Sequence, residues 1–191
     1  SLIYSATPSR NLSILFLGGG SNILFTKNYE GIVILLRNKG ILVENMKDDE
    51  VFISVQAGEN FHQFILWCLE KGYGGLENLS LIPGNVGTTP IQNVGAYGVE
   101  IKDILYSCKA LNLETLLEEE FSNIKCNFGY RESFFKREGN SVMLAGDGKK
   151  VLVESFYNRL EKKVRYNNRN ISSLDKLQFE CHELANFLIS K

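Results

Sequence analysis

Between Gly72 and Gly98 the chain carries seven of its 17 glycines and two of its 3 prolines, Pro83 and Pro90, yet the stretch is not polar. Leu76, Leu79, Leu81, Ile82, Val86, Ile91 and Val94 are distributed through it. Linkers between domains are usually polar and flexible. Glycine-rich backbone that also carries core-type side chains points instead to backbone packed close to something, so this is where a ligand is expected. The stretch offers two tight turns (Pro83-Gly84 and the Gly87 region), the hydroxyls of Thr88 and Thr89, the paired amides of Gln92 and Asn93, and Gly95-Ala96, where a flat ring system has room against the backbone. A loop serving packing alone accounts for the glycines but not for the polar groups spaced among them.

The flanking sequence reads as alternating strands and helices. Ile14–Leu17 and Ile32–Leu36 are short apolar strands, and Val51–Ala57 alternates with Val51, Ile53 and Val55 on one face. A helix is predicted over Phe61–Lys71. Phe61, Phe64, Ile65, Cys68 and Leu69 form one apolar stripe, Asn60 with Gln63 suits a capping box, and Gly72 suits the stop. His62 falls on the polar side of that helix and is expected to be solvated. Further on, Ile104–Leu113 reads as a strand, Leu116–Phe121 as an edge or hairpin, Val142–Leu144 and Val151–Phe156 as strands, and Ser173–Ile189 as a helix.

A second glycine-rich turn, Gly18-Gly19-Gly20-Ser21-Asn22, follows the first strand. Consecutive glycines leave several backbone N–H groups free to converge on an anion, and Ser21 and Asn22 add short polar side chains. A diphosphate bridge is the obvious guest; a ligand-free hairpin turn is the plain alternative. The dinucleotide fingerprint is excluded because position 23 is Ile23 and Ile23-Leu24-Phe25 reads as strand rather than helix, and the P-loop is excluded because the residue after the last glycine is Ser21.

Bulk composition narrows the classes. With 191 residues, 44% apolar and 23% charged, the chain is expected to be an ordinary soluble globular protein, large enough to bury a core without staples. Its net charge of −1 leaves no excess of positive charge to favour a polyanion, which makes nucleic acid a poor default partner. Cys68, Cys108, Cys126 and Cys181 form no CxxC pair, and with only His62 and His182 no metal spacing can be drawn; buried or surface thiols in a reducing cytoplasm are expected. No apolar run reaches membrane-spanning length.

Three segments together carry a family resemblance. Gly75-Leu76-Glu77-Asn78-Leu79-Ser80-Leu81-Ile82-Pro83-Gly84-Asn85-Val86-Gly87-Thr88-Thr89-Pro90-Ile91-Gln92-Asn93-Val94-Gly95-Ala96-Tyr97-Gly98 closely resembles the flavin-binding signature of UDP-N-acetylenolpyruvoylglucosamine reductases. Gly18–Asn22 is similar to that family's phosphate loop, and Cys126-Asn127-Phe128-Gly129-Tyr130-Arg131-Glu132-Ser133-Phe134-Phe135-Lys136 to its "FGYR(D/E)SxFK" stretch. The likeness runs from about Ile14 to Lys136. It implies an α+β FAD-binding fold of two subdomains with mixed sheets and packed helices. It implies that Gly18, Gly19, Gly20, Ser21 and Asn22 cradle the FAD diphosphate, that Pro83, Gly84, Gly87, Thr88 and Thr89 hold the remaining phosphate and ribityl region, and that Ile91, Gln92, Asn93, Gly95, Ala96 and Tyr97 line the isoalloxazine and the adjoining substrate pocket. Tyr130 and Arg131 fall at the substrate, with Arg131 matching the active-site arginine that polarises the enolpyruvyl group. A permanently charged, bidentate guanidinium suits the charge that develops on the neighbouring carboxylate; Glu132 or Glu77 is its candidate orienting partner. The implied reaction runs in two halves, hydride passing from NADPH to FAD and then to the enolpyruvyl side chain of a UDP-sugar.

The likeness fades after Lys136. The family's "GSxFKNP" proton-donor motif and its C-terminal glutamate are not found there, so the chain is expected to lack the C-terminal domain, to bind FAD, and not to complete turnover alone. Phe156-Tyr157-Asn158 stands where the family has its substrate tyrosine. The expected organisation is a first FAD-binding subdomain over residues 1–57, a second over 58–160, and a helical tail over 161–191, in a cytoplasmic monomer with no membrane or nucleic-acid partner. Two rivals remain. One is another flavoenzyme of the same fold with a covalent flavin, for which the only upstream histidine is His62; the other is a non-catalytic flavin-binding remnant.

Overall fold

The structure, a computed structural model, describes residues 13–113, 115–138, 151–161, 165–166 and 169–170. Its centre is an antiparallel sheet on which one helix packs. That helix, α1 (Phe61–Glu70), buries Phe61, Phe64, Ile65, Cys68 and Leu69, the stripe that the 3.6-residue period predicts. Asn60 caps it from an extended backbone, its Oδ1 accepting the Gln63 N–H at 3.0 Å, which satisfies one of the donors a helix leaves orphaned at its start. At the far end Gly72 turns to φ 75°. The Gly72 N–H reaches Leu69 O and the Tyr73 N–H reaches Cys68 O, both at 2.9 Å, which is the paired closure of a Schellman motif.

The sheet has five strands in the order β3-β4-β9-β7-β8, namely β3 (Ile41–Lys47), β4 (Glu50–Gln56), β7 (Leu105–Asn112), β8 (Glu118–Ser122) and β9 (Val151–Glu161), with every neighbouring pair antiparallel. Val51, Ile53 and Val55 of β4 are fully buried and join the α1 stripe, Cys108 and Ala110 in one core. Burying each large aliphatic or aromatic side chain contributes about 1.5–3 kcal/mol. The stretch expected at Leu116–Phe121 forms the edge strand β8. The sheet spans the expected division near Gly58: two of its strands precede that residue and three follow it.

A second sheet is a parallel pair, β1 (Ser13–Leu17) with β2 (Gly31–Leu35), in register from Ser13↔Gly31 to Leu17↔Leu35. Parallel neighbours need a crossover of about a dozen residues rather than a hairpin, and residues 18–30 supply it. The parallel pairing rules out the hairpin alternative for the glycine loop. One expectation is corrected: Ile23-Leu24-Phe25 is irregular rather than a strand, with Leu24 85% exposed. Smaller elements complete the description: the hairpin β5 (Gly95–Ala96) and β6 (Val99–Glu100), the short helices α2 (Ile101–Ile104) and α3 (Phe134–Arg137), single 3₁₀ turns at Glu77–Leu79 and Val86–Thr88, and the pair β10 (Arg165–Tyr166) and β11 (Arg169–Asn170). The strand expected at Val142–Leu144, the helix at Ser173–Ile189, Cys181 and His182 lie outside the described residues. No described helix is long and apolar enough to cross a membrane.

Candidate functional site

The two glycine-rich loops, more than sixty residues apart in sequence, meet in space. A Cβ on Gly18 would lie 2.7 Å from Thr88 Cγ2; one on Gly19 would lie 3.2 Å from Gly84 Cα and 3.3 Å from Asn85 Oδ1; one on Gly84 would lie 3.6 Å from Ser21 Oγ. Gly20, at φ 71°, has nothing within 4 Å of its Cβ position. Among the described residues, the backbone N–H groups of Gly19, Gly20 and Ser21 make no hydrogen bond to the protein. An exposed row of donors with no side chain in front of it fits a diphosphate.

The start of α1 holds the partner loop in place. Phe61 N–H donates to Gly84 O at 3.0 Å, Val86 N–H to Glu59 O at 2.8 Å and Gly87 N–H to Ala57 O at 2.9 Å. Thr88 and Thr89 turn their hydroxyls back on the same loop, donating to Asn85 O at 2.7 Å and to Val86 O at 2.8 Å. Thr88 is half-buried and keeps acceptor capacity, whereas Gly87 and Thr89 are buried and shape the loop from inside. Pro83 lies exposed at its tip.

The remaining residues of the long motif divide in the same way. Ile91 and Tyr97 are exposed, and Gln92 and Ala96 half-buried. Gly95 is buried, and its Cβ would stand 2.7 Å from Glu100 Cγ; the glycine is needed for the β5–β6 hairpin to close. Asn93 is fully buried at φ 43°. Its Nδ2 donates to Glu100 Oε2 at 3.1 Å and to Gly129 O at 2.9 Å, and its Oδ1 accepts from Lys102 N–H at 3.1 Å.

Gly129 opens the tight turn that presents Tyr130 and Arg131. The Gly129 N–H donates to Glu132 O at 2.9 Å and the Glu132 N–H to Gly129 O at 3.2 Å. Arg131, at φ 54°, takes the left-handed position such a turn requires. Tyr130 is 84% exposed and Arg131 is exposed beside it. Ser133, buried behind the turn, donates from Oγ to Ile91 O at 2.6 Å and caps α3 by accepting Lys136 N–H at 3.3 Å. The second and third motifs are thus tied together at both ends of the turn.

Glu100, absent from the sequence candidates, is an acid joined to this turn through the Asn93 amide. Glu132 pairs with Lys136 at 2.8 Å, and Glu77 is buried and accepts the Gly75 N–H. The Glu100 carboxyl instead lies below its usual range, chiefly because Lys102 donates to it; desolvation opposes the shift, while the Asn93 amide and the charges of Lys102 and Arg131 reinforce it. Glu100 also shares a reciprocal capping box with Asp103, and the Glu-x-x-Asp spacing was its one signal in the sequence. His62 corrects another expectation. It is half-buried, its Nδ1 accepts the Leu81 N–H at 3.2 Å, and desolvation lowers its pKa.

The described cysteines are buried. Cys108 and Cys126 stand with sulfurs 3.9 Å apart. Contact with Cys126, then burial, pushes the Cys108 thiol up, and burial followed by the charge of Glu77 does the same for Cys68; thiols held neutral in this way are poor nucleophiles and ligands. Among the described residues no group of His, Cys, Asp or Glu is arranged to hold a metal ion. Tyr157 falls in β9, in register with Ser54 and Ser107.

Residues 2–115 match the family described as FAD binding domain. A UDP-N-acetylenolpyruvoylglucosamine reductase of Flavobacterium johnsoniae is 54% identical over 130 residues, which cover 68% of this chain and 39% of that protein. One from Bdellovibrio bacteriovorus is 46% identical over 164 residues, covering 83% of this chain and 49% of that protein. The chain therefore spans less than half the length of these relatives. The crystal structure of the UDP-N-acetylenolpyruvylglucosamine reductase of Thermus caldophilus superposes with a TM-score of 0.62 at 18% identity, over 95% of this chain and 57% of that one, so the fold is shared.

Proposed function

The chain belongs to the FAD-binding domain family, and from that premise we propose that it binds FAD and serves the NADPH-dependent reduction of UDP-N-acetylglucosamine enolpyruvate to UDP-N-acetylmuramate, a cytoplasmic step of peptidoglycan synthesis. The observation that carries this reading is the convergence of Gly18–Ser21 on Gly84–Thr88, with the Tyr130–Arg131 turn tied to the same segment through Asn93 and Ser133.

The diphosphate is assigned to the exposed N–H groups of Gly19, Gly20 and Ser21, flanked by Gly18 and Asn22. Pro83, Gly84 and Thr88 face the adjoining phosphate and ribityl region, while Gly87 and Thr89 fix that loop. Ile91, Gln92, Ala96 and Tyr97 line the isoalloxazine side, with Gly95 keeping the hairpin behind them closed. FAD, when bound, supplies two-electron hydride chemistry. Arg131 holds the enolpyruvyl carboxylate and stabilises the negative charge that builds next to it, which a guanidinium does at any physiological pH; Tyr130 flanks it. Sheet membership favours a subdomain boundary between β2 and β3 over one near Gly58.

The test is an anaerobic visible absorption spectrum of the purified chain with FAD, before and after NADPH. Protein-bound flavin bands that bleach on adding NADPH support the reading. A chain that takes up no FAD, or binds it and is not reduced, refutes it.

A further inference from the structure

We infer that Asn93 is a positioning residue rather than a ligand contact: it locks the Tyr130–Arg131 turn to the segment that leads into Gly95, so that flavin pocket and arginine form one rigid unit. The inference rests on the flavin reading for what that unit serves; its grounds are geometric. Both amide protons of Asn93 are engaged inside the protein, by Gly129 O and Glu100 Oε2, and its oxygen is met by the Lys102 N–H. With the side chain fully buried, no donor is left for a ligand. The bond to Gly129 spans 36 residues and reaches the carbonyl that also closes the turn by accepting the Glu132 N–H. The other acceptor, Glu100, is itself fixed by an ion pair with Lys102 and a capping box with Asp103. The backbone agrees, since φ 43° is a conformation that Asn adopts far more readily than most residues.

The test compares Asn93→Gly, which keeps the positive φ accessible while deleting the amide, with Arg131→Ala and the double variant. Asn93→Asp, nearly isosteric but presenting an acceptor to Gly129 O and Glu100, serves as the second variant at the position. Three quantities are measured: amide hydrogen exchange without FAD, FAD affinity from flavin absorption, and the affinity of the FAD-loaded chain for UDP-N-acetylglucosamine enolpyruvate from the perturbed flavin spectrum. We expect the Glu132 amide to exchange roughly tenfold faster in Asn93→Gly, with β4 unchanged. FAD affinity should stay within about twofold, enolpyruvyl affinity should fall roughly tenfold, and the losses in Asn93→Gly and Arg131→Ala should not add in the double variant. A flavin contact would lower FAD affinity and leave Glu132 exchange unchanged. A general packing role would speed exchange through β4 and α1 and weaken both ligands together. Either result, additive losses, or no change overturns the inference, as does failure of both position-93 variants to fold, read by circular dichroism. If the wild-type chain takes up no FAD, the flavin reading fails by itself, and unchanged Glu132 exchange in Asn93→Gly would refute the tie independently.

Discussion

The glycines of the 18–20 run are not interchangeable, because each meets different surroundings. A methyl on Gly19 would press on the Gly84 backbone, which cannot rotate away, whereas one on Gly20 meets open space but must sit at φ 71°. Gly19→Ala is therefore expected to weaken FAD at least about tenfold by prising the loops apart, and Gly20→Ala to cost about 1 kcal/mol of stability from the left-handed backbone. FAD titration and urea denaturation of the two variants check this, and equal FAD affinities would contradict it. The sequence revealed that a turn lies at these residues; their separate roles depend on Gly84 and Thr88 and were not legible. His62 was misread for the same reason. Helical periodicity placed it on a polar flank, but its partner is the Leu81 N–H, 19 residues on. Its folded pKa is depressed below 6.5, so its contribution to stability is present above that value and is lost as the pH falls toward the lower folded one. A protonated Nδ1 cannot accept the Leu81 N–H. Between about pH 7 and pH 5 the urea midpoint of the wild type should fall more than that of His62→Gln, and parallel midpoints would contradict the assignment.

Among the elements, α1 was legible from end to end because its determinants are local: the stripe, the cap at Asn60 and the stop at Gly72 all act within one or two turns. Local determinants make local predictions. Asn60→Ala should cost about 1 kcal/mol by removing the cap, and Gly72→Ala about 1 kcal/mol by forcing a side chain into φ 75°. The two sites sit at opposite ends of the helix with no shared partner, so their costs should add within a few tenths of a kcal/mol in urea denaturation; a strongly non-additive double variant would mean that the helix ends communicate. β3 escaped notice because it is an edge strand whose register slips between Val43 and Asn45; only Ile41 and Val43 pack against the core, and the slip breaks the two-residue alternation. β9 shows the opposite limit. Its apolar start was visible at Val151–Phe156, but its central place between β4 and β7 follows from non-local pairing, which no window of sequence contains.

At the scale of the molecule, the proposed site is assembled from parts that differ in burial and in sheet membership. Asn93, Ser133 and the β5–β6 hairpin are anchored in the buried core, while the crossover over residues 18–30 connects a separate parallel pair and carries the row of open N–H donors. A ligand that bridges Gly18–Ser21 and Gly84–Thr88 therefore ties the crossover to the core, and the native chain alone presents that bridge. By mass action, FAD at about a hundred times its dissociation constant should add about 2.7 kcal/mol to the unfolding free energy, which for a chain of this size is a rise in Tm of roughly 5–10 °C. Arg131→Ala should show the same rise, because the arginine is assigned to the substrate and not to the flavin. At that same FAD concentration Gly19→Ala, with its affinity at least about tenfold weaker, should show at most about half that rise. A rise in Gly19→Ala as large as in the wild type would show that FAD binds elsewhere, and the convergence of the two loops would then have a purely structural explanation.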